Sequence, residues 1–160
     1  EDLFTGPGRT VAANDELLVS VSIPAPAVGT GSCYARLEYR RQMEIAVVGV
    51  TAVVRLDAGS VSDARVAITA LAPTIRRVSE AEAALIGSDG GDEAIAEAAR
   101  AAASGSSPIT DVRSSAEYRS AMANVIARRA IVVALARARG EHVPIPASAA
   151  TYASVGGTST

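Results

Sequence analysis

Few side chains in this sequence are equipped for chemistry, and each stands alone. His142 is the one histidine. A working imidazole needs a nucleophile or acid held beside it, and His142 follows the last helical run, so it reads as a solvated residue. Cys33, the one cysteine, takes an apolar position in an alternating run and reads as a small buried hydrophobe. Asp89-Gly90-Gly91-Asp92 lacks the ligand spacing of a calcium loop; a turn into a helix explains it. Gly6-Pro7-Gly8-Arg9-Thr10 offers backbone N–H groups to a phosphate, yet without the strand–loop–helix frame such loops need it reads as a plain turn. Arg40, Arg41 and Glu44 put charge at the margin of an apolar run, the pattern of a surface ion pair. No catalytic set and no metal-ligating set emerges.

Composition narrows the field further. All 15 basic residues are arginine, which excludes a Schiff-base lysine and a phosphate-loop lysine. A single cysteine excludes an intrachain disulfide, a cysteine-ligated zinc and an iron–sulfur site within the chain. It also suits a reducing, cytoplasmic compartment. A net charge of −2 gives no reason to expect nucleic acid or an anionic membrane. No run approaches the roughly 20 apolar residues of a membrane span. With 160 residues, 49% of them hydrophobic and 3% aromatic, the chain has the size of one domain with an aliphatic core. The first residue is Glu1 rather than Met, from which an N-terminal segment removed from this chain is expected.

The elements that must carry these residues follow from periodicity. Residues 1–14 show no period and read as a loop or linker. Residues 16–23 alternate Val19, Val21 and Ile23 against Ser20 and Ser22, which predicts a half-buried strand ended by Pro24 and Pro26. Cys33, Ala35, Leu37 and Tyr39 alternate against Tyr34, Arg36, Glu38 and Arg40, predicting a polar strand near an edge or a site. Residues 46–57 and 61–71 give the clearest signal. Val48, Val50, Ala52, Val54 and Leu56 share one face, as do Ala64, Val66, Ile68 and Ala70, with a turn at Asp57-Ala58-Gly59-Ser60 between them. That is an antiparallel hairpin.

After Pro73 the period becomes helical. Ser79 with Glu82 has capping-box spacing before a short helix that stops at Gly87. Asp92 can cap an alanine-rich helix ending before Gly105. Ser114 with Glu117 has the same spacing at the head of the longest helix, whose apolar stripe is Tyr118, Met122, Val125, Ile126, Val133 and Leu135. Arg137 and Arg139 suit the negative end of its dipole, and Gly140 suits its cap. Residues 141–160 read as a flexible tail. Strands first and helices second predict an α+β fold, an antiparallel sheet with about three helices on one face.

Taken in order, these segments resemble the C-terminal domain of the FAD-binding (medium) subunit of molybdenum hydroxylases. That family includes carbon monoxide dehydrogenase and xanthine dehydrogenase. Phe4, Gly6 and Thr10 are similar to the end of its FAD-binding portion, and Asp15-Glu16-Leu17-Leu18 through Ile23-Pro24 to its DELLxxIxIP strand. Tyr34-Ala35-Arg36 resembles its YxK segment, and Arg40-Arg41 up to Glu44-Ile45-Ala46 its RxxDIA segment. Ala72-Pro73-Thr74 with Arg77, then Glu82, Leu85 and Gly87, resemble its APTxxR and AExxLxG run. Asp111, Arg113, Ser115, Tyr118 and Arg119, with Arg129-Ala130, resemble its DxRxSAxYR helix opening and later RA pair.

The resemblance spans roughly residues 1–140 and implies an electron-transfer role. FAD in such enzymes takes electrons from two [2Fe–2S] centres and passes them to an acceptor. The glycine-rich loops that hold most of the FAD belong to the family's N-terminal half and are absent here. It implies a domain over 15–140 that closes over the flavin through Leu18, Arg36, Arg41, Glu44 and Ile45, without being catalytic alone. Its implied partners are the N-terminal FAD-binding half and the molybdenum and [2Fe–2S] subunits. The sequence departs from the family at Arg36, where lysine is usual, at Glu44, where aspartate is common, and at Thr69-Ala70, where two glycines are common. A stand-alone interaction module without a redox role is the alternative, and a small-ligand binder using the Gly6–Thr10 loop is a third reading.

Overall fold

The computed structural model describes residues 3–40 and 43–144. Residues 4–10 are not featureless: Phe4–Gly6 (β1) and Arg9–Thr10 (β2) form a small exposed hairpin. Four further strands, Thr30–Leu37 (β3), Val48–Asp57 (β4), Ser60–Thr69 (β5) and Arg76–Arg77 (β6), make an antiparallel sheet in the order β3-β4-β5-β6. Three helices follow, Ser79–Leu85 (α1), Asp92–Ser104 (α2) and Ala116–Ala138 (α3). The α+β class, an antiparallel sheet followed by three helices, is therefore as the periodicity predicts.

The β4–β5 hairpin turns through two residues, Ala58 and Gly59, with Asp57 opposite Ser60. Both have positive φ, 48° and 84°, the twist that a tight hairpin of right-twisted strands requires. Register shifts between Arg55 and Leu56, so Ser62 is an extra residue and Val61 joins the buried face. Val50, Ala52, Val54, Val66 and Ile68 are fully buried on that face. Helix α3 covers β3 and β4, α1 packs on β5, and α2 lies against α1 and α3. All three helices thus serve one side of the sheet.

The predicted strand over 16–23 does not form. Residues 16–27 carry no regular structure and are exposed, Val19 and Ile23 each at 87%. Alternation marks a strand's apolar face, but a ladder needs a neighbour to accept its N–H groups, and no strand lies beside this segment among the described residues. The polar strand ends at Leu37, before Tyr39, and is an edge of the sheet as expected.

Capping also differs from the sequence expectation. The residue before α1 is Val78, with no side-chain cap. Glu82 instead turns inward, accepting from the Val66 amide at 3.0 Å and from Arg77 Nε and Nη2 at 2.9 and 2.7 Å. A buried strand amide left without a partner costs more than an uncapped surface turn. Gly91, not Asp92, is the N-cap of α2, and Asp92 meets Arg128 Nη2 of α3 at 2.9 Å. Ser115, one residue later than expected, caps α3 by accepting from the Tyr118 amide, while the Ser114 amide donates to Asp111 and the Ser114 hydroxyl to the Ser115 carbonyl.

The apolar stripe of α3 is only half right. Ile126, Val133 and Leu135 are buried, but Tyr118 and Val125 are exposed, and Ala123, Ala127, Ala130 and Ala134 take their place. Small residues are required because the helix backbone runs close against the strand at Gly31. A Cβ there would stand under 3.0 Å from the Ala134 carbonyl oxygen, the Ala138 nitrogen and the Arg137 carbonyl carbon. Arg137 fastens this contact, donating to the carbonyls of Ser32 and of Val143 and Pro144.

Candidate functional site

Three segments converge at the start of α3: the stretch entering β4, the exit from β5, and the turn at 111–114. Asp111 accepts from the amides of Arg113 (2.8 Å) and Ser114 (3.2 Å), the local turn that aspartate favours. The same oxygen takes Nη2 of Arg119 at 2.7 Å. Arg119 is 4% exposed, and its Nη1 donates to the carbonyls of Val47 at 3.0 Å and Ala70 at 3.3 Å. The Arg113 amide first, then the Arg119 guanidinium, hold the Asp111 carboxyl down to about 2. Asp111 is therefore ionised at neutral pH, as a buried cation requires.

A cavity of about 330 Å³ opens beside this cluster, with apolar walls from Ile45, Ala46, Ala70, Pro73 and Ile109. Its polar lining comes from Ser107, Asp111, Arg113 and Arg119. Such a site can hold an apolar group beside fixed charge. Among the described residues no three His, Cys, Asp or Glu side chains converge as metal ligands. Cys33 is buried in the core and His142 is exposed.

Each residue singled out in the sequence can now be placed. Arg36 lies on β3 opposite Gly49, on the sheet face turned away from the helices. Its Nε is 2.5 Å from Glu38 Oε2. Glu44 pairs with Arg40 at 3.2 Å, the surface pair the spacing predicts, and its other oxygen accepts from the Ile45 amide at 3.0 Å. Ile45 is 61% exposed at the cavity wall. Arg36 and the Glu44–Ile45 stretch thus share one end of the β3–β4 pair, on different sides. Leu18 is exposed in the unpaired segment and joins neither. Arg41 lies outside the described residues. The Gly6–Thr10 segment belongs to the small hairpin, with Pro7 and Gly8 as its turn.

Sequence reasoning noted Asp111 and Arg119 only as parts of a motif and assigned them no role. The signal was an arginine eight residues after an aspartate, spanning a helix start; what it lacked was any sign of the carbonyls that Arg119 reaches.

Residues 33–134 match the family model described as the CO dehydrogenase flavoprotein C-terminal domain. The chain is 35% identical over 137 residues to the carbon monoxide dehydrogenase medium chain of Hydrogenophaga pseudoflava, covering 86% of this chain and 47% of that one. It is 29% identical over 138 residues to the xanthine dehydrogenase FAD-binding subunit of Escherichia coli O157:H7, with coverage of 86% and 47%. In structure it resembles the Hydrogenophaga pseudoflava carbon monoxide dehydrogenase that lacks the Mo-pyranopterin moiety of the molybdenum cofactor. The TM-score is 0.81 at 39% identity, covering 85% of this chain and 47% of that chain. The chain therefore spans about half the length of the relatives it matches. No helix among the described residues is long and apolar enough to cross a membrane.

Proposed function

We propose, because the chain belongs to the family of CO dehydrogenase flavoprotein C-terminal domains, that it closes over the flavin of a molybdenum-hydroxylase FAD subunit. In that role it supports electron transfer and has no catalytic activity of its own. The observation that carries this reading is the end of the β3–β4 pair. Exposed Ile45 stands on the stretch entering β4 and Arg36 on the neighbouring strand, both open to solvent.

Standing on different sides of that end of the sheet, these residues would meet different parts of the cofactor. Ile45 supplies an apolar cover, Arg36 a permanent cation, and Glu44 fixes the Ile45 amide. Leu18 and Arg41 complete the proposed contacts, Leu18 from an apolar segment left open to solvent. FAD, when bound, supplies the redox chemistry, receiving electrons from iron–sulfur centres and releasing them to an acceptor. The proposed partners are the N-terminal FAD-binding half of the same subunit and the molybdenum and [2Fe–2S] subunits.

Fluorescence titration with FAD tests the reading. The chain alone is expected to bind negligibly, and the chain joined to an N-terminal FAD-binding half to bind stoichiometrically. Arg36→Ala in the joined protein should weaken binding or move the flavin potential more than Arg137→Ala does. Tight binding by the chain alone, or none by the joined protein, would overturn it. The second reading, an interaction module, draws on the exposed apolar run Leu17 to Ile23 and predicts a stable assembly without flavin, iron or molybdenum.

A further inference from the structure

Arg119 buries a guanidinium where an apolar side chain would serve packing as well. A buried ion pair is weak evidence for stability, since apolar residues of similar volume often replace one without loss. Its value must lie in what it holds. Among the described residues its Nε is buried without a partner, while both terminal nitrogens are used. One meets Asp111, itself locked by two backbone amides, and the other meets the carbonyls of Val47 and Ala70.

Those two carbonyls lie just outside the strands they adjoin. Val47 immediately precedes β4, and its amide donates to the Leu37 carbonyl at 2.9 Å, closing the base of the connection from β3. With its N–H tied to β3 and its C=O tied to α3, Val47 is held from both sides. Ile45 and Ala46, the two residues before it, line the cavity wall. Ala70 follows β5 with φ of 61°, a conformation that costs an L-residue about 1–2 kcal/mol and that Arg119 helps to hold. The helix start thus fixes both loop exits that frame the cavity.

We propose that Arg119, oriented by Asp111, is a positioning residue that sets where Ile45 and Ala46 stand and hence how the flavin ring is covered. The inference rests on the FAD reading above for its consequence, but not for its geometry. Arg119 acts through the Val47 carbonyl and touches no cofactor.

The test uses Arg119→Met, which keeps an unbranched apolar stem and loses every donor, and Arg119→Lys, which can restore one bond. In the chain itself, hydrogen exchange of the Ile45 and Val47 amides should accelerate about tenfold in Arg119→Met while the β4–β5 ladder is unchanged. Arg119→Lys should recover part of that protection. If Arg119→Met does not fold, Asp111→Asn, which removes the charge that orients the guanidinium, should give the same local pattern. In the joined FAD protein, Arg119→Met should retain stoichiometric flavin but shift its midpoint potential and raise its quenching by iodide. Exchange that rises uniformly, or not at all, would overturn the positioning role. So would a flavin whose potential and quenching stay unchanged. Failure of the unsubstituted joined protein to take up FAD would instead overturn the proposed function, leaving the exchange measurement to decide the role of Arg119.

Discussion

Gly31→Ala should be among the most damaging single-methyl additions in this chain. The new Cβ would fall under 3.0 Å from three backbone atoms of α3, the Ala134 oxygen, the Ala138 nitrogen and the Arg137 carbonyl carbon. Backbone in a helix cannot rotate aside, so α3 must retreat from β3, by on the order of 1 Å. A gap of that size forfeits a quarter to a half of each dispersion contact along the seam, where Cys33, Ala35 and Ala52 meet the helix side. Overpacking of this kind costs about 1–3 kcal/mol. Loss of the Arg137 bond to the Ser32 carbonyl adds about 1 kcal/mol. Against this, replacing glycine recovers about 0.4–1 kcal/mol of unfolded-chain entropy. The net expectation is a loss of about 2–3 kcal/mol, read as a lower urea midpoint with an unchanged slope. Gly6→Ala, where nothing lies within 4 Å of the added Cβ, is the control and should stay within about 0.5 kcal/mol. A Gly31→Ala variant as stable as that control would refute the close approach of α3 to β3.

Three further outcomes follow from the same geometry. Ala58→Asn should stabilise the chain by about 0.5 kcal/mol, since Ala58 sits at a positive φ of 48° in the hairpin turn and asparagine tolerates that region; an unchanged or lower melting temperature would count against it. Glu82→Ala should cost about 2–3 kcal/mol by orphaning the buried Val66 amide and removing the carboxylate that Arg77 meets, whereas Glu80→Ala, on the exposed side, should cost little; chemical denaturation separates the two. Asp111 has a folded pKa of about 2, below its usual unfolded value near 3.9. Its contribution is therefore complete above about pH 4 and is lost as pH falls toward 2. Asp111→Asn should flatten that part of the stability-against-pH curve, and parallel curves for the two proteins would disprove the linkage.

What could be read in the sequence tracks the distance along the chain between interacting groups. The β4–β5 hairpin was legible because its two faces and its turn lie in one continuous run, each strand reporting the other. Helix extents were legible for the same reason, since their hydrogen bonds span four residues. Caps were less so. The spacings at Ser79–Glu82 and Ser114–Glu117 are real, but Glu82 had a remote claimant in the Val66 amide, and the Ser114 hydroxyl donates to the Ser115 carbonyl. Arg119 was least legible of all. Its motif neighbours are local, but the Val47 carbonyl lies 72 positions away, and no periodicity encodes which carbonyl a side chain will find.

The exposed run from Leu17 to Ile23 carries the same lesson in the opposite direction. Its alternation is as regular as that of β5, yet β5 lies between two strands and this run beside none. Leaving Leu17, Val19 and Ile23 at 85%, 87% and 87% exposure forgoes about 1.5–3 kcal/mol for each apolar side chain that could be buried. A segment patterned for a sheet and left in solvent is unusual in a chain that otherwise buries its aliphatic residues well. The pattern is therefore best understood as written for a neighbour outside the β3–β6 sheet. Were that neighbour the FAD-binding half of the proposed subunit, closing over the flavin and completing this strand would be one event, driven by the same apolar burial.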